Sequence, residues 1–111
     1  MRPIRVTVGS QAASAPIPMD HYQGPFNVSV GVVLSAGASL TYSVEHTFDD
    51  VFAPDFNAST ATWFANSGLS AKTTSLDGNY AFPVRAIRLN VSTYASGTAT
   101  MTLLQAGMPG R

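Results

Sequence analysis

The chain has 111 residues, of which 45% are hydrophobic and 11% are charged, and its six basic side chains balance its six acidic ones. That length provides one domain with a single core, and a neutral chain without a lysine or arginine cluster lacks the electrostatic footprint of a nucleic-acid-binding protein. No apolar run approaches the roughly 20 residues that cross a membrane. The lack of cysteine excludes disulfides, thiolate metal sites and a cysteine nucleophile.

Alternation of apolar and polar residues with a period of two predicts most of the secondary structure, because successive side chains of a strand face opposite sides. Residues 4–8 alternate in this way and predict a first strand. Two long strands are predicted over 26–34 and 40–48, separated by the small residues of a loop at 35–38. We expect these two strands to pair with each other as a β-hairpin.

The C-terminal third repeats the same alternation. Residues 87–92 and 98–105 predict two strands joined at a glycine, which we expect to form a second hairpin. The apolar parity changes just before the first of these strands, so a bulge or bend is predicted near Arg85 and Ala86. No segment shows the 3.6-residue period of a helix over three turns.

Two stretches are less regular. Residues 10–25 predict an extended connection with a possible short strand at 20–23. Residues 48–80 are the longest irregular region, in which short strands are possible at 61–64 and 70–75, and the Asp-Gly-Asn run at 77–79 is typical of a turn.

The predicted fold is all-β: one antiparallel β-sandwich domain over residues 1–111, jelly-roll-like, with extended N- and C-terminal arms. The core is expected over about 26–106, and the arm-like segments over 10–25 and 107–111.

Few residues carry potential chemistry. His46 lies on the apolar face of its strand and is interpreted as a core-edge histidine hydrogen-bonded to backbone. A Ser-His-Asp arrangement with Asp49 or Asp50 stays formally open, although no Gly-x-Ser-x-Gly motif is present. Asp49, Asp50, Asp55 and Asn57 provide oxygen atoms for a cation, but the spacing of a calcium-binding EF-hand is missing and a turn-rich loop is favoured. We assign no catalytic residue, no cofactor and no metal ligand.

Aromatic side chains concentrate in the irregular region. They indicate either a small satellite core or a contact surface, since aromatic residues anchor many interfaces. A carbohydrate-binding platform is a third interpretation, in which Asp55 and Asn57 would lie beside the ring of Trp63. The aromatic residues are Phe48, Phe52, Phe56, Trp63, Phe64 and Tyr80.

Four segments carry a resemblance to a known group. Residues 42–50 (YSVEHTFDD), 61–64 (ATWF), 81–91 (AFPVRAIRLNV) and 98–107 (TATMTLLQAG) resemble small all-β structural proteins of tailed bacteriophages. The resemblance covers most of residues 40–107. Within that group the chain is most similar to capsid decoration, or cement, proteins.

The resemblance implies a jelly-roll protein on the capsid surface of a virion, made in the host cytoplasm. Its expected partners are the major capsid protein, at whose subunit junctions it would stabilise the head, and copies of itself in a dimer or trimer. No nucleic acid and no membrane are expected as partners. A neck or tail component is the alternative within this class, and a carbohydrate-binding module using Trp63 or a small hydrolase are alternatives from other classes.

The predicted interface combines the two arm-like segments, an aromatic pair and two arginines. Either arginine is expected to lie on a polar face, where it would pair with a neighbour's carboxylate or be solvated. The candidate interface residues are Ile17, Pro18, Trp63, Phe64, Arg85, Arg88, Met108, Pro109 and Arg111.

Overall fold

A computed structural model describes residues 4–19, 27–57, 60–81 and 83–105, and these residues form eight β-strands and no helix. No helix able to cross a membrane is therefore present in this part of the chain. The strands are β1 (Ile4–Val8), β2 (Ile17–Pro18), β3 (Val28–Leu34), β4 (Ser39–Thr47), β5 (Phe64–Ala65), β6 (Leu76–Tyr80), β7 (Ala86–Ser96) and β8 (Ala99–Gln105).

The strands form two four-stranded antiparallel sheets, which confirms the predicted all-β sandwich. The first sheet has the order β1-β8-β3-β6 and the second has the order β2-β7-β4-β5. The pairs β1–β8, β2–β7, β3–β6 and β4–β5 are therefore nested, with the first strand of the chain paired with the last and the two middle strands paired with each other. The central pairs β3–β8 and β4–β7 join these ribbons into sheets.

The inward side chains are those that the alternation predicts. Burying this contiguous apolar layer from both sheets is the main stabilising contribution to a sandwich. The layer also includes Val8, Ile17 and Met19, so the core begins earlier in the chain than the predicted residue 26. Its members from the four central strands are Val28, Val30, Val32, Leu40, Tyr42, Val44, Ile87, Leu89, Val91, Ala99, Met101 and Leu103.

Both predicted hairpins are wrong. β3 and β4 belong to different sheets, as do β7 and β8, so each short connection crosses from one sheet to the other instead of reversing within a sheet. Alternation could not distinguish these cases, because a strand presents the same apolar face to the core whether its successor lies beside it or opposite it.

The two crossing connections pack against each other. Ser35 N donates to the Thr98 carbonyl at 3.0 Å, and Thr98 N donates to Ser35 Oγ at 2.9 Å. Gly97 has a φ of +91°, and a Cβ built there would lie 2.5 Å from the Cβ of Ala38. This close approach requires glycine at position 97, since the space that a side chain needs is filled by the other loop.

The alternating segments at 4–8, 26–34, 40–48 and 98–105 are confirmed as strands, within about two residues at their ends. The bend predicted near Arg85 is also present.

The Asp-Gly-Asn run at 77–79 is a strand rather than a turn. It lies in β6 and pairs with β3 along its whole length. The Leu69 side chain packs against Gly78 on the side where other residues carry a Cβ, since a Cβ built on Gly78 would lie 3.1 Å from Leu69 Cδ1. Tertiary pairing therefore outweighs the local turn preference of this run. The possible strand at 70–75 is instead a single bridge between Lys72 and Tyr42.

The segment predicted as an N-terminal arm lies along its own domain as far as the structure describes it. Ser14 N donates to the Leu89 carbonyl, Val91 N donates to the Ala12 carbonyl and Met19 N donates to the Arg85 carbonyl, each at 2.8–2.9 Å. Residues 12–19 thus cover the free edge of β7. The short strand predicted at 20–23 and the tail at 107–111 lie outside the described residues.

The crossing of the two loops predicts a contrast between two glycines. Gly97→Ala should lower the free energy of unfolding by about 2–4 kcal/mol, because it adds a steric clash to the cost of a left-handed backbone. Gly37→Ala is the matched control: its φ is +74°, but no atom lies within 4 Å of the added Cβ. The free energy of unfolding of this control should fall by about 1 kcal/mol, from the cost of its left-handed backbone alone. Urea denaturation measures both, and equal losses would contradict the close packing of the loops.

Candidate interaction surface

An aromatic cluster forms where β4 ends and meets β5. It consists of His46, Phe48, Phe64 and Tyr80, and the ring of His46 is its centre. The His46 ring lies 5.0 Å from Tyr80 and 5.6 Å from Phe48 in edge contacts, and 5.9 Å from Phe64 in a stacked contact, measured between centroids. Register explains the arrangement, since His46 pairs directly with Phe64 across the two strands.

The cluster is buried at one end and exposed at the other. Tyr80 is fully buried and His46 is 6% exposed, whereas Phe48 and Phe64 are 51% and 48% exposed. The two phenylalanine rings also contact each other, with centroids 5.8 Å apart. Phe52, on the loop that follows, is 77% exposed. The inner rings are therefore buried with the main core, and the outer rings present an apolar surface to solvent. The satellite core predicted from the sequence is thus only partly formed.

His46 is hydrogen-bonded as expected of a buried histidine, and one of its contacts is to a side chain. Its Nδ1 lies 2.9 Å from the Tyr80 hydroxyl. Burial lowers the pKa of His46 and raises the pKa of Tyr80 well above its ordinary value. Both effects favour the neutral forms of the two groups, so this hydrogen bond joins an uncharged imidazole to a protonated phenol.

The acidic loop after β4 is tied together by its own carboxylates. Asp49 Oδ2 accepts a hydrogen bond from Thr62 N at 3.0 Å, which joins the two ends of the loop. Asp50 Oδ1 accepts from Phe52 N at 3.0 Å in an Asx turn and lies 3.5 Å from Arg85 Nη2. These contacts agree with the turn-rich interpretation. The Asp49 and Asp50 contacts given above go to the loop backbone and to Arg85, so they add no support for a Ser-His-Asp arrangement with His46.

A shallow pocket of about 270 Å³ lies on this loop, lined in part by Asp49, Asp50, Asp55 and Asn57. In the described part of the chain, no three histidine, aspartate or glutamate side chains come close enough to hold a metal ion together. The loop geometry alone therefore identifies no cation site.

A polar network covers the outer face of the second sheet. Glu45 on β4 and Arg88 on β7 are directly opposed, and Arg88 Nε donates to Glu45 Oε1 at 2.7 Å. Asn90 Nδ2 donates to the other carboxylate oxygen at 3.3 Å. The Arg88 guanidinium carbon lies 4.1 Å from the centroid of the Trp63 ring, a cation–π contact. The side chains of the ion pair are only 16% and 17% exposed, so they are partly shielded from water.

The structure places the predicted interface residues in different settings. Ile17 pairs with Ile87 and its side chain enters the core at 7% exposure, which leaves little of it for contact with a neighbouring molecule. Pro18 and Phe64 are exposed. Met108, Pro109 and Arg111 lie outside the described residues.

The arginines have partners within their own chain. Arg85 forms the more exposed ion pair, with Asp50, and Arg88 forms the shielded pair, with Glu45. The arginine expected to pair with a neighbour's carboxylate therefore already contacts one here. Trp63 is half-buried with a guanidinium against its ring, which leaves less of that ring for stacking on a sugar.

Sequence reasoning missed two features of this surface. It did not join Glu45 to Arg88, although both lie at outward positions of their strands, because the strand pairing was unknown. It grouped Phe48 with five other aromatic residues but did not select it for the interface. The position of Phe48, just beyond the last inward residue of β4, was the feature of the sequence that could have identified it as an exposed aromatic residue.

Comparison with protein-family models, with curated protein sequences and with solved structures finds no significant match to this chain. The functional argument therefore depends on the chain's own residues.

The buried His46 predicts a pH dependence of stability. Because burial lowers its pKa, the unfolded chain takes up a proton near the ordinary value of about 6.5 while the folded chain does not. The contribution of neutral His46 to the free energy of unfolding is fully present above that pH, and it is lost as the pH falls towards the lowered pKa of the folded chain. Thermal unfolding between pH 7 and pH 5 should show this decline. His46→Gln should flatten it, and a decline unchanged in His46→Gln would contradict the assignment.

The two ion pairs predict unequal effects of neutralisation. Glu45→Gln should lower the free energy of unfolding by about 1–2 kcal/mol, because a shielded guanidinium loses its charged acceptor. Asp50→Asn is the matched control in the more exposed pair and should cost less than about 1 kcal/mol. Chemical denaturation of both variants tests the difference, and an equal or larger loss in Asp50→Asn would show that shielding is unimportant here.

Proposed function

We propose that this chain is a non-enzymatic structural protein of a bacteriophage virion, and that it decorates the capsid by binding at junctions of major capsid protein subunits. The observation that carries the proposal is the exposed aromatic pair Phe48 and Phe64. Each ring is about half exposed, yet both are held in place by His46 beneath them. Rigid, partly exposed aromatic side chains are typical anchors of protein interfaces.

The topology supports a jelly-roll assignment within this proposal. In a jelly roll, a folded-over antiparallel ribbon wraps so that its nested pairs alternate between two sheets. The order β1-β8-β3-β6 facing β2-β7-β4-β5 has this arrangement. Jelly rolls occur in viral capsid proteins and also in lectins and cupins, so the fold is compatible with the proposal and does not by itself select it.

The surface charge supports a protein that packs against neighbours. The chain carries 12 charged side chains, six of each sign, and two pairs of them neutralise each other within the domain. On the outer face of the first sheet, Thr7 and Thr100 are hydrogen-bonded through their hydroxyls at 3.0 Å. Covering uncharged hydroxyls costs less free energy than covering ions, so such a face can be buried at moderate cost.

A neck or tail component would use the same kind of surface, and particle copy number distinguishes it from a decoration protein. The carbohydrate-binding alternative receives less support, because the Arg88 guanidinium lies against the Trp63 ring that was expected to stack on a sugar.

The aromatic pair predicts which variants fail to bind capsids. Phe48→Ser and Phe64→Ser should each weaken binding to capsids of the parent phage that lack this protein by roughly tenfold or more, measured by co-sedimentation. Val33→Ser is the matched control, because Val33 is 63% exposed on the outer face of the other sheet.

Circular dichroism should first show that the three variants are folded. Equal binding of all three would exclude the aromatic pair as the contact. Failure of the unmodified protein to bind capsids at all would contradict decoration itself.

A further inference from the structure

The four edge strands of the sandwich differ in how well they are protected. An exposed edge strand offers unpaired backbone N–H and C=O groups to other chains. Natural proteins therefore keep edge strands short, cover them or place charged side chains on them. In the second sheet, the edges β2 and β5 are only two residues long, and neighbouring segments continue the cover: residues 12–14 lie along β7 and Lys72 bridges to β4. This sheet therefore presents no long regular edge among the described residues.

The first sheet has two five-residue edges, β1 and β6, and they are not equivalent. β6 carries Asp77 and Gly78, both unfavourable in strand pairing, and the Asn79 carbonyl accepts a long hydrogen bond of 3.5 Å from Asn66 Nδ2. β1 has the sequence Ile-Arg-Val-Thr-Val, made largely of strand-favouring residues, and in the described structure it pairs with β8 alone. Among the described residues, β1 is thus the unprotected edge.

The core is also incomplete beside β1. Ile4 and Val6 point inward, opposite Leu103 and Met101 of β8, but both are only half-buried, whereas Met101 and Leu103 are fully buried. A strand added next to β1 would cover these two side chains while satisfying its free backbone groups. Both contributions favour association.

We propose that the occupant is β1 of a second copy of this chain, paired antiparallel about a two-fold axis at Val6. In that register Ile4 lies opposite Val8 of the second copy, and Val6 lies opposite Val6, so every inward side chain meets an apolar one. Arg5 lies opposite Thr7, so the two like charges are not directly opposed. The contact is isologous and closes at a dimer, which joins the two first sheets into one of eight strands.

Charge selects this pairing over a simple shift of register. Moving the two-fold axis by one residue to Arg5 would place the two Arg5 side chains directly opposite each other, which destabilises an antiparallel pair. This self-association is independent of the proposed capsid function, since it would occur in the purified protein.

The first test is the mass of the purified full chain by sedimentation equilibrium across a range of concentrations. We expect a reversible monomer–dimer equilibrium, and a monomer even at millimolar concentration would overturn the proposal. Thr7 then tests the register, because it is exposed and lies opposite Arg5 of the second copy. With two such pairs in each dimer, Thr7→Lys should raise the dimer Kd by about two- to thirty-fold, and Thr7→Glu should lower it over the same range.

Both substitutions lose the same hydroxyl contact with Thr100, so opposite effects on Kd report charge. Thr93→Lys is the control, since it adds the same charge at an exposed position of β7. Equal effects of Thr7→Lys and Thr7→Glu, or weakening by Thr93→Lys alone, would overturn the register.

Single cysteines test the position of the axis, because the chain has no cysteine of its own. In the proposed dimer the Cβ atoms at position 6 lie about 4.5–5.5 Å apart, so Val6→Cys should form an intermolecular disulfide on mild oxidation. Ile4→Cys is the matched control: it shares the strand, the face and the half-buried setting, but its counterpart lies roughly 13 Å further along the strand direction. Efficient cross-linking of Ile4→Cys without Val6→Cys would overturn the proposal.

Discussion

The fold depends on the contact between its two sheet-crossing loops. The loop from β3 to β4 and the loop from β7 to β8 both span the roughly 10 Å between packed sheets, and they do so side by side. Gly97 permits that approach, and two hydrogen bonds between Ser35 and Thr98 fix it. The four longest strands, β3, β4, β7 and β8, leave or enter these loops, so the loop contact joins the central pair β3–β8 to the central pair β4–β7 at that end of the sandwich.

The candidate surface follows from the strand pairing within the second sheet. Once β4 lies beside β7, Glu45 comes opposite Arg88 on the outside and His46 comes opposite Ile87 on the inside. The inward end of β4 then carries the aromatic cluster, whose inner members are fixed by the core and whose outer members reach solvent. The β4–β7 register thus produces the shielded ion pair under Trp63, and the β4–β5 register places Phe64 beside His46 in the exposed phenylalanine pair proposed to contact the capsid.

The alternation of apolar and polar residues predicted the strands well, because the apolar face of a strand is formed by residues close together in the sequence. It placed β1, β3, β4 and β8 and the bend at Arg85, and it selected most of their inward residues, although Phe48 lies beyond β4 and is half exposed. It could not predict partners, since the alternation of residues 28–34 fits a hairpin and a sheet crossing equally. It missed β6 because Asp77 and Gly78 favour a turn locally, and only pairing with β3 and packing of Leu69 make them a strand. Ile17 was assigned to an interface for a similar reason: its neighbour β7 is distant in sequence.

The measurement that tests the proposed virion role most directly is the copy number of this chain in gradient-purified particles of the phage proposed to carry it, determined by quantitative mass spectrometry against the major capsid protein. A lattice-wide decoration protein predicts a ratio near one, or a simple fraction of it. Between about six and twelve copies per particle would place the chain in the neck or tail, by the rotational symmetry of such assemblies. Complete absence from the particle would contradict a virion role.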